Sequence, residues 1–334
     1  MSAAPLRIGL VGAGRIAQTY AEALGRSTEA RLLAVADVRE EAARSLAESC
    51  GARGFASHRE MLAALPLDAA IVCTPPATHP AVCRDLIAAG LHVLCEKPFA
   101  ILLDDARAMV DAARRASVRI TMASKFRYVA DVVRARSIIA AGTLGTVVLF
   151  ENAFTAFVDM RERWNADRSV GGGGVLIDNG THSLDLARYL LGPLSHLQVV
   201  EGARTQGLQV EETVHMLLRS AAGAIGHIDL SWSIAKAQDT YVAVYGTAGS
   251  LLVGWKASRY RLVGSAEWVE LGRGYDKVLA FVDQIGNFAR AVRGEEELRV
   301  GEEDAIASVA AMVAAYRALA EGRLVAVGGE GAAP

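Results

Sequence analysis

The chain has 334 residues, 52% of them hydrophobic, and a formal charge of −2 at pH 7. A length of this order divides into two domains at about 100–200 residues each. The near-neutral balance gives no basic footprint for nucleic acid, because phosphate binding needs clustered Lys and Arg, and no apolar run reaches the ~20 residues that span a bilayer.

In chain order, Arg7–Val11, Leu32–Ala36, Ala69–Thr74, His92–Cys95 and Val118–Met122 read as strands. Between them Ile16–Leu24, Arg39–Glu48, Arg59–Leu65, Ala81–Ala89 and Leu103–Ala116 read as helices. Alternating β and α of this kind predicts a parallel sheet covered on both faces. From about residue 124 the grammar changes. A helix over Asp131–Ala141 stops at Gly142, Val147–Phe154 is a strand, and the run Gly171–Gly174 leads into a helix that closes at Gly192-Pro193. Leu197–Arg204, Thr213–Arg219, Ala224–Ser233, Thr240–Tyr245, Ser250–Val253 and Tyr260–Val263 then follow as strands with no helix between them. Such a series predicts a large open, mainly antiparallel sheet. Helices over Lys277–Val292 and Glu302–Ala320 precede Gly328–Pro334, which reads as a frayed tail. The expected division is 1–123 and 124–330, with the helix over 302–320 packing back on the first domain.

The opening MSAAPLRIGLVGAG carries no signal-like apolar region. The four cysteines, Cys50, Cys73, Cys83 and Cys95, show no paired ligand spacing. Both features favour a reducing, cytoplasmic setting with no bound metal.

Gly12-Ala13-Gly14-Arg15-Ile16-Ala17 lies between the first strand and the first helix. Gly12 permits the tight turn, Gly14 lets the backbone approach a pyrophosphate, and Ala17 keeps helix and strand close. The helix N-terminus at Arg15 and Ile16 presents N–H groups to the phosphates. Asp37 ends the second strand, where a carboxylate bonds the ribose hydroxyls and repels a 2′-phosphate, so NAD is favoured over NADP. Arg39, two residues on, would soften that preference.

Glu96-Lys97-Pro98 closes a strand at its carboxyl edge, the side on which open α/β sheets bind ligands. A solvated surface lysine is the other reading of Lys97. Asp178, His182 and Asp185 are spaced i, i+4, i+7 and share one face of a helix. A carboxylate one turn from an imidazole suits it to proton transfer near neutral pH. An ordinary ion pair on a surface helix is the alternative.

These segments, with Cys73-Thr74-Pro75-Pro76 and His79, Ala88-Ala89-Gly90-Leu91-His92-Val93-Leu94-Cys95-Glu96-Lys97-Pro98 and Ser124-Lys125-Phe126-Arg127-Tyr128, resemble the glucose–fructose oxidoreductase / inositol dehydrogenase / rhizopine catabolism (Gfo/Idh/MocA) family over nearly the whole chain. The resemblance implies an N-terminal Rossmann doubly wound parallel sheet and a C-terminal α/β domain whose open sheet forms homodimers or homotetramers. It implies an NAD-dependent dehydrogenase or reductase acting on a sugar, cyclitol or sugar derivative. It implies that Lys97, Asp178 and His182 are catalytic, and that Thr74, Pro75, His79, Glu96 and Lys97 line the cofactor. Arg127, Arg163, Trp164, Asn179 and Tyr275 are candidates for the substrate wall. Lys125 departs from the asparagine frequent at its position. Two other functions share the motif set. One is an NAD-dependent glycosidase that oxidises its substrate transiently, and the other is a non-catalytic dinucleotide or sugar sensor, against which the retained Lys97, Asp178 and His182 argue.

Overall fold

The computed structural model describes residues 4–328, so the expected tail lies, beyond Gly328, outside the described residues. The chain divides into two compact units: one comprises the chain up to Tyr128 together with Lys277–Ile306, the other Val129–Asp276 together with the chain from Ala307.

The first unit begins with β1 (Leu6–Val11), α1 (Arg15–Arg26), β2 (Ala30–Ala36), α2 (Glu40–Ser49), β3 (Arg53–Phe55), α3 (His58–Ala64), β4 (Ala69–Val72), α4 (His79–Ala88), β5 (His92–Glu96), α5 (Leu103–Ala116) and β6 (Ile120–Ala123). The six strands are parallel in the order β3-β2-β1-β4-β5-β6. Their continuous apolar character follows from burial on both faces; Ile8, Leu10, Ile71 and Val93 are all fully buried. The strand order reverses between β1 and β4, which opens a crevice outside their carboxyl ends. β3 was not anticipated, because a three-residue, largely exposed edge strand carries no hydrophobic alternation.

The second unit contains α6 (Ala130–Ala140), β7 (Val147–Thr155), the single turn α7 (Arg168–Gly171), α8 (Val175–Leu191), β8 (Leu194–Glu201), β9 (Thr213–Ser220), β10 (Ile225–Ser231), β11 (Thr240–Gly246), β12 (Gly249–Gly254), β13 (Ser258–Leu262) and β14 (Val269–Gly272). The chain then adds α9 (Lys277–Val292) to the first unit. α10 (Glu302–Glu321) contains the division at Ile306, and β15 (Val325–Ala326) ends the second unit. The nine strands run β14-β13-β12-β11-β7-β10-β9-β8-β15. All pairs are antiparallel except β7 with β10. Along β9, Val214, Met216 and Leu218 point inward while His215, Leu217 and Arg219 point out, the period of two expected of a sheet with one packed face. α8 packs on β7, β9 and β10. β14 and β15, both short sheet edges, were not foreseen for the reason that hid β3.

α9 packs on α1. Its Phe281, Ile285, Phe288 and Ala289 share a core with Ile8, Leu10, Tyr20 and Leu24.

Candidate active site

The turn after β1 has the geometry its composition calls for. Gly12 holds φ +98°, and a Cβ there would meet the backbone of Cys73 and Thr74 at under 3 Å. Ala17 is fully buried against the sheet. Gly14 is the N-cap of α1, no side chain caps that end, and a Cβ added there would meet nothing within 4 Å. Helix N–H groups left without a side-chain cap suit an anion. Arg15 is exposed and Ile16 partly buried beside them. Asp37 accepts the Ala13 N–H at 2.7 Å on one oxygen and the Arg39 N–H at 2.8 Å on the other. A carboxylate has about four lone-pair sites, so capacity remains for a ribose diol. These residues fit a bound dinucleotide.

At the neighbouring strand ends, Thr74 and Pro75 follow β4 and are partly exposed, with Thr74 Oγ1 accepting from the Thr78 hydroxyl at 2.8 Å. His79 does not face the crevice as expected. It is fully buried, with Nδ1 2.9 Å from the Pro98 carbonyl and Nε2 2.8 Å from the Thr74 carbonyl. Burial holds the imidazole below the ordinary histidine pKa, and its one N–H donates to one of these two carbonyls, tying the ring to the loop after β4 or the loop after β5. The Lys97-Pro98 peptide is cis. Lys97 is partly exposed, whereas Glu96 is buried and accepts the Lys97 N–H at 3.0 Å.

In the second unit α8 carries Asp178, Asn179 and His182. Asp178 and Asn179 are partly buried, His182 is 7% exposed, and Asp185, one turn on, is fully buried. Gly180, on the opposite face, takes the packing of Leu230 and Met312. The glycines before α8 make room for two groups. A Cβ on Gly173 would fall on the Tyr316 hydroxyl, and one on Gly174 would fall on the Glu211 backbone carbonyl. Buried Glu211 accepts the N–H groups of Gly174 at 2.8 Å and Leu176 at 3.3 Å and the Tyr316 hydroxyl at 2.7 Å, while its carbonyl accepts the Val175 N–H at 2.9 Å. A buried carboxylate therefore satisfies the helix end and complements its positive pole. Glu211→Ala leaves these donors buried without an acceptor, at about 1–3 kcal/mol each. Urea unfolding should show a loss of at least about 2 kcal/mol; wild-type stability would contradict the capping role.

Glu212 orders the adjoining loop. Burial alone would raise its pKa, but the N–H groups of Gln206, Thr205 and Leu208 and the Ser233 hydroxyl outweigh burial and hold it low. Gln206 in turn accepts from the Met160 N–H at 2.9 Å and donates to the Val158 carbonyl at 3.0 Å. The segment after β7 is thereby pinned, with Arg163 partly exposed and Trp164 48% exposed upon it. Tyr275 packs edge-on to Trp255, with ring centroids 5.7 Å apart.

Arg127, expected at the substrate wall, is engaged inside the protein. It is 3% exposed, and its guanidinium binds both oxygens of Asp304 at 2.9 and 3.1 Å. A buried guanidinium needs such a partner, and the sequence spacing of 127 and 304 gave no hint of it. Tyr20, Gln284, Glu211 and Tyr316 were also missed. None of the four stands in a motif of its own: Glu211 precedes β9, Tyr316 sits in an Ala-rich helix and Tyr20 in an ordinary amphipathic one.

Among the described residues, no group of three or more His, Cys, Asp or Glu side chains forms a metal-ligand set.

Residues 6–124 match the model of the oxidoreductase family with NAD-binding Rossmann fold, and residues 132–252 match that of the GFO/IDH/MocA C-terminal domain. The rhizopine catabolism protein MocA of Rhizobium meliloti is 29% identical over 94% of this chain and 95% of its own length. Inositol 2-dehydrogenase of the same species is 26% identical over 96% and 99%. The crystal structure of GenD2 from gentamicin A biosynthesis, in complex with NAD, superposes with a TM-score of 0.85 at 29% identity, covering 98% of this chain and 97% of that one.

Proposed function

The chain belongs to the Gfo/Idh/MocA family and is an NAD-binding oxidoreductase, and we propose that it moves a hydride between nicotinamide and a secondary alcohol or ketone of a sugar, cyclitol or sugar derivative. The observation that carries the reading is the match to both family domains, joined to a turn whose Gly12, Gly14 and Asp37 are arranged for a dinucleotide. Relatives named for action on inositol, D-apiose and D-glucosides support the substrate class.

Bound NAD supplies the hydride acceptor. The protein supplies positioning and proton transfer. His182 takes the proton from the substrate hydroxyl in oxidation and returns it in reduction. Lys97 donates a hydrogen bond to the reacting oxygen and stabilises its developing charge. Asp178 orients His182 or binds a neighbouring hydroxyl, and Asn179, Arg163, Trp164 and Tyr275 contact the remaining polyol. The test is nicotinamide reduction against a panel of inositols, free sugars and nucleotide sugars, with NAD and NADP compared. Turnover on one member assigns the substrate. No turnover on any polyol, with NAD bound by calorimetry, overturns the dehydrogenase reading, and release of an aglycone without net reduction replaces it with a glycosidase.

We further propose a homodimer or homotetramer formed through the outward face of the nine-stranded sheet. Val200, Leu217 and Ile225 stand on that face 57%, 48% and 54% exposed, apolar surface that a partner subunit would cover. Leu217→Asp should convert the oligomer to monomers in light scattering; an unchanged mass excludes this face. No helix among the described residues is long and apolar enough to cross a membrane. The four cysteines are free thiols, which supports a reducing, cytoplasmic setting.

A further inference from the structure

We propose that Tyr20 and Gln284 are positioning residues for Lys97, acting through the buried carboxyl group of Glu96. The proposal rests on the reading of Lys97 as a catalytic group. Glu96 is the last residue of β5, and its two oxygens have separate tasks. Oε2 accepts the Lys97 N–H at 3.0 Å, so the carboxyl group holds the backbone from which the lysine side chain springs. Oε1 accepts the Tyr20 hydroxyl at 2.9 Å. Tyr20 is fully buried, and its ring is fixed edge-on against Phe281 with centroids 4.6 Å apart. The tyrosine comes from α1, the helix that begins at the dinucleotide turn. The relay therefore links that helix to the strand end that carries Lys97.

Gln284 of α9 completes it. Its Oε1 lies 3.1 Å from the same Tyr20 oxygen, it is fully buried, and its Nε2 has no hydrogen-bond partner among the described residues. A phenol has one hydrogen, and two acceptors compete for it. With Glu96 ionised, the hydroxyl points to the carboxylate. With Glu96 protonated, the acid donates to the phenol oxygen and the hydroxyl turns to Gln284. Tyr20 thus senses the charge of Glu96 and passes it to α9.

The groups facing Glu96 are Tyr20 from α1, Cys73 after β4, Cys95 within β5, Lys97, and Lys125 after β6. Burial pushes Tyr20, Cys73 and Cys95 well above their ordinary pKa values and keeps them neutral. The two lysines are then the charges that Glu96 meets, which gives the unusual Lys125 a place in the same network. Burial raises Glu96 above the ordinary carboxyl range against the opposing pull of Lys97, Tyr20 and Lys125.

Infrared titration of the apoprotein reads the relay without a substrate. The wild type should show a protonated carboxyl band that titrates above the usual range and is missing in Glu96→Gln. Tyr20→Phe removes a donor to the carboxylate, so the band should move to higher pH. Gln284→Met removes the competing acceptor and should move it to lower pH. In turnover assays on the polyol identified by the panel, Tyr20→Phe should lower kcat roughly 10- to 100-fold, the scale of a small misplacement of a reacting group, with NAD affinity near wild type. A band unmoved in both variants, or a wild-type kcat in Tyr20→Phe, overturns the relay. Lys97→Ala run in parallel tests the underlying reading: full turnover there removes Lys97 from catalysis, whereas its loss beside an unaltered Tyr20→Phe removes only the relay.

Discussion

His182→Ala is expected to lower turnover by roughly 10²- to 10⁴-fold, the usual contribution of a positioned general acid–base group, and to leave NAD affinity near wild type. The split follows from where the side chains sit. The turn proposed to hold the dinucleotide is built from Gly12, Gly14 and Asp37 of the first unit, while His182 stands on α8 of the second. α8 is held by Glu211 at its N-terminus and by Gly180 packing on Leu230 and Met312, neither of which involves the imidazole. The helix should therefore survive the substitution, and the loss should fall on kcat. Steady-state kinetics and NAD calorimetry on the same preparation check it; wild-type turnover would remove His182 from the proton-transfer role.

Asp37→Ala should weaken NAD binding about 100-fold, since each charge-assisted hydrogen bond it makes is worth about 1.5–3 kcal/mol. Two of those bonds are internal, to the N–H groups of Ala13 and Arg39. Losing the first also loosens the turn that carries Gly12 and Gly14, so about 100-fold is the lower end of the expected loss. The preference for NAD over NADP should also relax. The carboxylate that repels a 2′-phosphate is gone, and the exposed Arg39 guanidinium, 3.5 Å from it in the wild type, remains. Titration of both cofactors checks this, and unchanged selectivity would sink the assignment.

Residues adjacent in sequence declared the dinucleotide turn. Gly12, Gly14 and Ala17 act through their own backbone or their own lack of bulk, so reading them required no knowledge of distant neighbours. The same holds for the helical spacing of Asp178 and His182 and for the alternation along β9, where periodicity alone says which side is buried. Short edge strands were illegible because β3, β14 and β15 are defined by a partner's hydrogen bonds more than by any pattern of their own.

The amino-acid sequence by itself thus determined the two architectures through local periodicity, and the family and the cofactor class through the resemblance carried by its short motifs. Tertiary structure alone decided which polar residues were free to meet a ligand. Arg127 and His79 stand in motifs that look like site residues, yet Asp304 and the Thr74 and Pro98 carbonyls claim them. Tyr20, Glu211 and Tyr316 stand in segments that look like packing, yet Tyr20 bonds the buried Glu96 carboxyl group and Glu211 with Tyr316 secures the start of α8. A buried polar group must find a partner, and that partner is usually distant in the chain, where only the folded structure brings it within reach.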